Sequence, residues 1–275
     1  MKTTCTLCPH HCALEEGQAG RCRARGNSSG RVVCLHYGLL SGIALDPIEK
    51  KPLRRFFPGS SILSAGSYGC NLHCPFCQNW EISMSAPSVS KGRLISPEAL
   101  VQKALELVQR GNIGLAYTYN EPLVCYEYVR DCAELAHRHS LKNVLVTNGM
   151  FCREPLSRML PLIDAMNIDL KSFSQSFYDK AGGYLETVKE SIALAAGRTH
   201  VEVTTLIIPG ENDSTEEMER LAAWLSSVSP NIPLHISRFF PHYRMMDTPP
   251  TPADTVYRLV ETARSCLRYV YAGNC

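Results

Sequence analysis

Apolar residues recur with two alternating patterns after residue 60. Short apolar runs, typical of strands buried in a sheet, alternate with longer segments whose apolar residues recur every three or four positions, as in helices. The predicted strands are SILSAGSY, IGLAYTY, NVLVTN, AMNIDL, HVEVTTLII, IPLHISRFF and LRYVYAG. The predicted helices between them are SPEALVQKALELVQRG, EPLVCYEYVRDCAELAHRH, EPLSRMLPL, LETVKESIALAAG, STEEMERLAAWLSSV and TPADTVYRLVETARSC.

Two of these helices carry clear boundary signals. In the first, Ser96 can cap the amino terminus, Pro97 suits the first helical position and Gly111 stops the helix. In the fifth, Ser214 and Glu217 have the spacing of a capping box.

Strand followed by helix, repeated about six times, predicts parallel strands joined by right-handed crossovers. We therefore expect an α/β fold with a partial (β/α)6 TIM-like barrel, although periodicity leaves a doubly wound sheet open. Residues 1–58 are irregular and rich in Gly, Cys and Arg, so we expect a small Cys-rich amino-terminal extension before a core of residues 59–275. PLRRFFPGSS, residues 52–61, is the expected linker.

The composition excludes several classes of protein. Of 275 residues, 45% are hydrophobic and 20% are charged, with 28 Lys and Arg against 26 Asp and Glu. A net charge of +2 does not favour binding to nucleic acid. The start MKTTCTLCPHHC has no apolar core of a signal peptide, and no run is long enough to span a bilayer. We therefore expect a cytoplasmic protein.

Thirteen cysteines are many for a cytoplasmic enzyme, and they are unevenly placed. Five lie within the first 34 residues and three within GCNLHCPFCQNW. Because a reducing compartment disfavours disulfides, clustered cysteines indicate metal binding. We interpret the scattered ones as small buried hydrophobic residues; these are Cys125, Cys132, Cys152, Cys266 and Cys275.

Each predicted strand ends in polar residues, and in a β/α barrel those ends form the active site. The candidates are Thr118, Tyr119, Asn120, Glu121, Thr147, Asn148, Gly149, Asp169, Lys171, Ser172, Thr204, Thr205, Ser237, Arg238 and His242.

Cys70, Cys74 and Cys77 follow the first predicted strand and offer three thiolates. A [4Fe–4S] cluster held by three thiolates leaves one iron open. S-adenosylmethionine can chelate that iron, and one electron then cleaves it to methionine and a 5′-deoxyadenosyl radical that abstracts hydrogen from a substrate. Alternatives are a zinc knuckle completed by His73, a redox CxxC pair and chance spacing.

This run, with aromatic Phe76 before its third cysteine, resembles the motif of the radical S-adenosylmethionine superfamily. Almost the whole chain resembles the AmmeMemoRadiSam-system radical enzymes, which are related to pyruvate formate-lyase activating enzymes. The matching segments are CTLCPHHCALEEGQAGRCRARGN, DPIEKKPL, CPFCQNWEIS, TYNEP, VTNG, NIDLKSF, VTTLIIPGEND and HISRFFPHYRM.

The resemblance implies a binding site for S-adenosylmethionine. Glu121 matches the acidic residue that binds the amine of the cofactor, through a charge-assisted bond. Thr147 and Asn148 match a turn that contacts the ribose, and His242 matches a histidine near the adenosine. The alternative for Glu121 is a solvated loop residue.

Other positions extend this predicted site. Asp169 and Lys171 match a D-x-K pair that organises cofactor and substrate; the alternative is a simple ion pair at a strand end. Arg238 suits a substrate carboxylate or a surface salt bridge. The remaining residues assigned to the cofactor are Phe76, Asn120 and Thr204.

Two departures from the family are visible. Val146 stands where related activating enzymes carry an Asp that helps hold a monovalent cation, so a complete cation site is not expected. Relatives continue beyond the Gly-Asn that matches Gly273 and Asn274 into a cysteine-bearing tail, whereas this chain stops at Cys275. We expect the function of that tail to be missing or supplied otherwise.

The amino-terminal cysteines predict a second metal site. Cys5, Cys8, Cys12 and Cys22 offer four thiols within an irregular segment that a metal would stabilise. They suit zinc and an auxiliary iron–sulfur cluster equally. Alternative ligands are His10 and His11, and we expect the spare Cys34 to be buried.

We therefore expect a radical oxidoreductase of the activating-enzyme type. The resemblance implies a reductant such as flavodoxin or ferredoxin. It also implies a substrate that is a glycyl radical enzyme, or a small molecule or partner protein associated with Memo-like and AMMECR-like proteins. A non-catalytic iron–sulfur or zinc scaffold and an RNA-modifying enzyme are alternatives. The basic cluster Lys50, Lys51, Arg54 and Arg55 is interpreted as a solvated face.

Overall fold

An eight-stranded sheet organises the part of the chain that the computed structural model describes, residues 1–85 and 92–275. Five short strands precede the sheet: β1 Thr3–Thr4, β2 Ala13–Leu14, β3 Arg25–Ser28, β4 Arg31–Cys34 and β5 Leu39–Leu40. The sheet begins with β6 Gly42–Pro47 and β7 Ser61–Gly66, whereas β8 Arg93–Leu94 pairs with β5. It continues with β9 Asn112–Tyr117, β10 Lys142–Thr147, β11 Ala165–Asp169, β12 His200–Ile207, β13 Leu234–Arg238 and β14 Val270–Gly273.

The order of the strands is that of a partial barrel. From one edge it runs β14, β13, β12, β11, β10, β9, β7, β6, so every strand lies beside its predecessor in the sheet. Neighbours from β7 to β14 are parallel, and only β6 pairs antiparallel. A doubly wound sheet reverses its strand order at a switch point, and this sheet does not. The predicted strand–helix alternation is confirmed, and the doubly wound alternative is wrong.

The helices cross between successive parallel strands. They are α1 Trp80–Ser83, α2 Pro97–Glu106, α3 Tyr126–Arg138, α4 Arg153–Met159, α5 Gln175–Ala181, α6 Leu185–Ala196, α7 Thr215–Val228 and α8 Ala253–Arg264. Short 3₁₀ turns lie at Ile48–Lys50, Val108–Arg110, Pro122–Cys125 and Leu160–Leu162. Both predicted amino-terminal caps are confirmed: Ser96 accepts from the amide of Ala99, and Ser214 accepts from that of Glu217. The capping box is incomplete, because the Glu217 carboxylate accepts from Ser172 and Phe173 instead of Ser214. α2 itself ends at Glu106, and Gly111 ends the 3₁₀ turn that follows it.

A buried polar network lies at the amino-terminal ends of the strands, opposite the carboxyl ends. Glu202 in β12 is fully buried and accepts hydrogen bonds from His235 at 2.6 Å and His200 at 2.9 Å. The amides of Arg54 and Arg55 donate to the same carboxylate, at 3.0 and 2.7 Å. The segment before β7 is thereby fastened under the sheet.

Residues 1–58, termed here the amino-terminal segment, pack closely on the core. Its short strands and hairpin replace the predicted irregular structure. Leu7, Leu14 and Leu40 belong to the same hydrophobic cluster as the barrel side chains. β6 lies before the predicted boundary at residue 58, yet pairs with β7 from Gly42 to Pro47. None of the described helices combines the length and apolar character that a bilayer span requires.

Candidate active site

A cavity of about 490 Å³ lies at the carboxyl ends of the central strands. Cys70, Cys74 and Cys77, which follow β7, all line it. The other predicted site residues that line it are Phe76, Asn120, Glu121, Thr147, Asn148, Asp169, Lys171 and Thr204. Strand-end positions that are far apart in sequence thus face one space, as expected for a β/α barrel.

A second cavity of about 410 Å³ adjoins the first. The two share Phe76, Gln78, Leu206 and Asn274 as lining residues. His242 lines only this second cavity, together with Arg238 and Phe240. His242 therefore does not line the cavity that contains the three cysteines.

Two asparagines hold the cysteine loop, residues 67–77, in place. The side-chain amide of Asn120 donates to the carbonyl of Gly69 at 2.9 Å, and its oxygen accepts from the amide of Ser67 at 3.0 Å. The amide of Asn148 donates to Asn71 Oδ1 at 2.8 Å and to Cys70 Sγ at 3.5 Å. Both predicted cofactor residues therefore position the loop that carries the thiols.

Glu121 is buried beside the cysteine loop at the end of β9. Its carboxylate accepts from the amides of Asn148 at 2.8 Å and Leu123 at 3.1 Å, and from the hydroxyl of Thr147. Burial raises the pKa of Glu121 to about 7, although these hydrogen bonds lower it. The Thr147 hydroxyl lies within hydrogen-bond distance of both carboxylate oxygens, at 3.0 and 2.9 Å, but has one proton to donate. Of the roughly four lone-pair sites of the carboxylate, one therefore remains for a cationic ligand. The solvated-loop alternative is wrong, because only 1% of Glu121 is exposed.

Asp169 and Lys171 form an ion pair of 2.9 Å inside the cavity. Burial opposes the charge of Lys171, but Asp169 and Cys74 outweigh it and raise its pKa. The loop after this pair is fixed by Glu217 of α7, which accepts from Ser172 Oγ at 2.6 Å and from the amide of Phe173 at 2.7 Å. Asp169 and Lys171 therefore form an ion pair, as one interpretation expected, and also line the cavity, as the other expected.

The described lining of the large cavity contains three thiols and no histidine. His73 lies outside it, where its Nδ1 accepts from Arg21 Nε at 3.4 Å. Burial and the charges of Arg21 and Arg23 lower the pKa of His73 to about 4. No three His, Cys, Asp or Glu side chains among residues 1–85 and 92–275 are arranged around a single ion. A set of three thiols beside a space of this size fits a [4Fe–4S] cluster with S-adenosylmethionine.

Two residues at or beside the large cavity, Lys51 and Asn71, were not predicted as part of the site. Lys51 is only 2% exposed, lines the cavity and pairs with Asp46 at 2.8 Å, so its assignment to a solvated face is wrong. Asp46 also accepts from Tyr119 Oη at 2.7 Å, and Tyr119 has a φ of 74°. Asn71 lies within the cysteine motif and would have been found by weighing its polar members. Lys51 gives no local signal: Asp46 is only five residues away, but the burial of Lys51 depends on packing against residues distant in sequence such as Tyr119, whose ring centre lies 4.9 Å from Lys51 Nζ.

Two predicted departures have defined places. Val146 lines the large cavity with an aliphatic side chain, at the position where a carboxylate was expected in relatives. Asn274 borders both cavities, just after β14. Arg238 donates to the carbonyl of Thr251 and stacks on Phe240, with its guanidinium 5.0 Å from the ring centre.

The amino-terminal cysteines line a separate cavity of about 10 Å³. Cys5, Cys8 and Cys22 are buried there and Cys12 is partly buried. Cys34 does not line it and is itself only partly buried. Among the scattered cysteines, Cys125 and Cys132 are buried as expected, Cys152 and Cys266 are partly buried, and Cys275 is exposed.

Comparison with known proteins agrees with this geometry. Residues 65–224 match the sequence model of the family described as the Radical SAM superfamily. An uncharacterized protein of Methanocaldococcus jannaschii is 40% identical over 281 residues, which covers 99% of this chain and 81% of the relative.

Three solved structures share the fold at low sequence identity. A radical SAM methyltransferase from Sphaerobacter thermophilus has a TM-score of 0.59 at 15% identity, over 79% of this chain and 67% of its own. SuiB of Streptococcus suis bound to its precursor peptide SuiA has a TM-score of 0.60 at 12% sequence identity, over 76% of this chain and 47% of its own. QueE of Escherichia coli has a TM-score of 0.54 at 13% identity, over 85% of this chain and 92% of its own. From the matched residues, which include all three cysteines of the large cavity, the chain belongs to the radical SAM superfamily.

Proposed function

We propose that this chain cleaves S-adenosylmethionine reductively and takes a hydrogen atom from a substrate in the adjoining cavity. Membership of the superfamily implies a [4Fe–4S] cluster, S-adenosylmethionine and radical chemistry. When bound, the cluster and S-adenosylmethionine would supply one-electron reductive cleavage of the nucleotide to methionine, and hydrogen abstraction from the substrate that yields 5′-deoxyadenosine. The observation that carries the proposal is the convergence of three thiols and Glu121 on one cavity.

The residues of the chain bind and orient the reactants. Cys70, Cys74 and Cys77 would hold three irons, and Asn148 donates to the first of these sulfurs. Glu121 presents a buried carboxylate that suits the amine of S-adenosylmethionine. Lys171, held by Asp169, supplies a positive charge for an anionic group of the nucleotide or substrate. The burial of Glu121 strengthens its interaction by keeping water from the carboxylate.

For the substrate we propose a polypeptide segment of a partner protein, which corresponds to the activating-enzyme type. The second cavity adjoins the first, and the exposed aromatic side chain of Phe240 lines it. The exposed Trp80 stacks on Tyr243, which directly follows the cavity residue His242. The same fold in SuiB is described with a precursor peptide bound. Candidate partners are a glycyl radical enzyme and a Memo-like or AMMECR-like protein, with flavodoxin or ferredoxin as reductant.

Anaerobic reconstitution with iron and sulfide, followed by dithionite and S-adenosylmethionine, tests the reaction. We expect methionine and 5′-deoxyadenosine from the wild type and none from Cys70→Ala. Cys266→Ala, a cysteine outside both cavities, should behave as the wild type. Formation of 5′-deoxyadenosine by Cys70→Ala would refute the cluster assignment, and its absence from the wild type would favour the scaffold alternative.

Deuterium transfer tests the substrate class. Candidate partner proteins made with deuterated glycine are mixed with the reconstituted enzyme, and the 5′-deoxyadenosine is analysed by mass spectrometry. Deuterium in the product identifies a polypeptide hydrogen donor. Product formed without deuterium, and not stimulated by any partner protein, would argue against an activating enzyme.

A further inference from the structure

Four cysteines from the amino-terminal segment meet at one point of the fold. One small cavity is lined by all four of them, Cys5, Cys8, Cys12 and Cys22, although sixteen residues lie between the first and the last. All thirteen cysteines of the chain are free thiols, so no disulfide accounts for the clustering. Four buried or partly buried thiols that are not oxidised suit a thiophilic metal.

A second observation comes from Arg25, which lines the same cavity. Its two terminal nitrogens each donate to Glu127 at 2.8 Å. Its Nε is buried and has no hydrogen-bond partner within the described part of the chain. A buried donor without a partner is costly, and a metal-bound thiolate is an acceptor that would satisfy it. The amide of Arg21 already donates to Cys12 Sγ at 3.5 Å.

The segment around these cysteines has little regular structure to hold it. β1 and β2 pair through only two residues each, and β3 and β4 form a short hairpin. Small segments of this kind are commonly stabilised by a bound metal.

The same segment contacts the cysteine loop on both sides of Cys70. His10 Nε2 is 2.8 Å from the carbonyl oxygen of Asn71. Gly69 lies against Cys22 so closely that a Cβ at this position would be 2.4 Å from the Cys22 carbonyl oxygen. The segment that carries the four thiols therefore packs against the loop that carries Cys70.

We propose that Cys5, Cys8, Cys12 and Cys22 bind a second metal centre through four thiolates, and that this centre holds the amino-terminal segment against the cysteine loop. The claim that a metal binds there does not depend on the proposed function. The claim that this metal holds the segment against the cysteine loop rests on the proposed function, because it takes that loop to carry the catalytic cluster. Within the described residues no group of three or more His, Cys, Asp or Glu side chains is placed around one ion, so the four thiols favour an iron–sulfur cluster over a single zinc ion. Both centres share the four-thiolate chemistry.

Metal analysis of a variant without the first site tests the second one in isolation. In Cys70→Ala/Cys74→Ala/Cys77→Ala, prepared anaerobically and reconstituted, we expect either about one zinc or about four irons per chain. Iron accompanied by acid-labile sulfide identifies a cluster, and zinc without sulfide identifies a structural ion. Adding Cys8→Ser should abolish this binding, whereas adding Cys34→Ser should leave it intact. A triple variant that binds no metal, or binding unaffected by Cys8→Ser, would overturn the proposal.

Hydrogen exchange tests the contact with the cysteine loop. His10→Ala removes the contact with Asn71 and leaves all four thiols. In the metal-loaded protein we expect exchange of the amides in residues 69–74 to become about fivefold faster, with the second metal retained, as loss of one hydrogen bond implies. Unchanged exchange in these residues would refute the holding role while leaving the metal site itself intact.

Discussion

The carboxylate of Glu121 accepts a hydrogen bond from the hydroxyl of Thr147 at 2.9 Å, which ties the end of β9 to the end of β10. Glu121→Gln keeps the shape and removes the charge, but its single oxygen can accept from only one of the two amides, Leu123 at the Oε1 position or Asn148 at the Oε2 position. We expect S-adenosylmethionine to bind about 10- to 100-fold more weakly, the usual worth of a charged hydrogen bond, with iron content unchanged. Equilibrium binding and iron analysis measure the two effects.

The exposed Glu190→Gln in α6 is the matched control and should bind as the wild type. If Glu121→Gln lost iron and nucleotide together, the residue would be supporting the cysteine loop rather than the ligand.

Asn148 donates to Cys70 Sγ and to Asn71 Oδ1, so it joins the turn after β10 to a cluster ligand. Hydrogen bonds to the sulfurs help set cluster potentials. In Asn148→Ala we expect a more negative midpoint potential and slower cleavage of S-adenosylmethionine, measured by a redox titration followed by EPR. The exposed Asn231→Ala should leave both unchanged. An unaltered potential in a fully iron-loaded Asn148→Ala protein would contradict this role.

Lys50 and Lys51 are adjacent in sequence but differ in environment. The Lys51 side chain is 2% exposed and pairs with Asp46, whereas that of Lys50 is 69% exposed. Lys51→Met should lower the free energy of unfolding by about 2–4 kcal/mol, because it leaves Asp46 without its buried partner. Lys50→Met should change it by less than about 0.5 kcal/mol. Urea unfolding under anaerobic conditions compares them, and equal effects would show that the pair is not important for stability.

Glu202 makes the free energy of unfolding depend on pH. Burial opposes its charge, but hydrogen bonds from His200, His235 and the amides of Arg54 and Arg55 outweigh burial and lower its pKa to about 2. The folded chain therefore binds fewer protons than the unfolded chain, so this contribution is present above about pH 4.5 and is lost as the pH falls towards 2. It is on the order of 3 kcal/mol at neutral pH.

Glu202→Gln removes that contribution. We expect the difference in unfolding free energy between wild type and variant to be largest at neutral pH and to shrink between pH 4.5 and 2. The same series with the exposed Glu186→Gln should show little difference at any pH. A difference for Glu202→Gln that stayed constant with pH would contradict the lowered pKa.

The strands and the cavity residues could be predicted from sequence because both follow from local rules. Apolar runs predicted the seven parallel strands. The rule that the carboxyl ends of barrel strands form the active site predicted that Glu121, Thr147 and Lys171 line one cavity. The pairing of β6 with β7 and the burial of Lys51 could not be predicted, because each depends on contacts that only the folded chain brings together, such as that of Lys51 with the Tyr119 ring. Asn120 and Asn148 were located correctly, but their bonds to the cysteine loop emerge only from three-dimensional contacts.

The pairing of β6 with β7 also bears on where this chain can be shortened. A chain that began at residue 59 would leave the backbone N–H and C=O groups along the outer side of β7 open to water. Such a bare edge is a template to which another chain can add a strand. The barrel released from its first 58 residues would accordingly be prone to pair with copies of itself along β7.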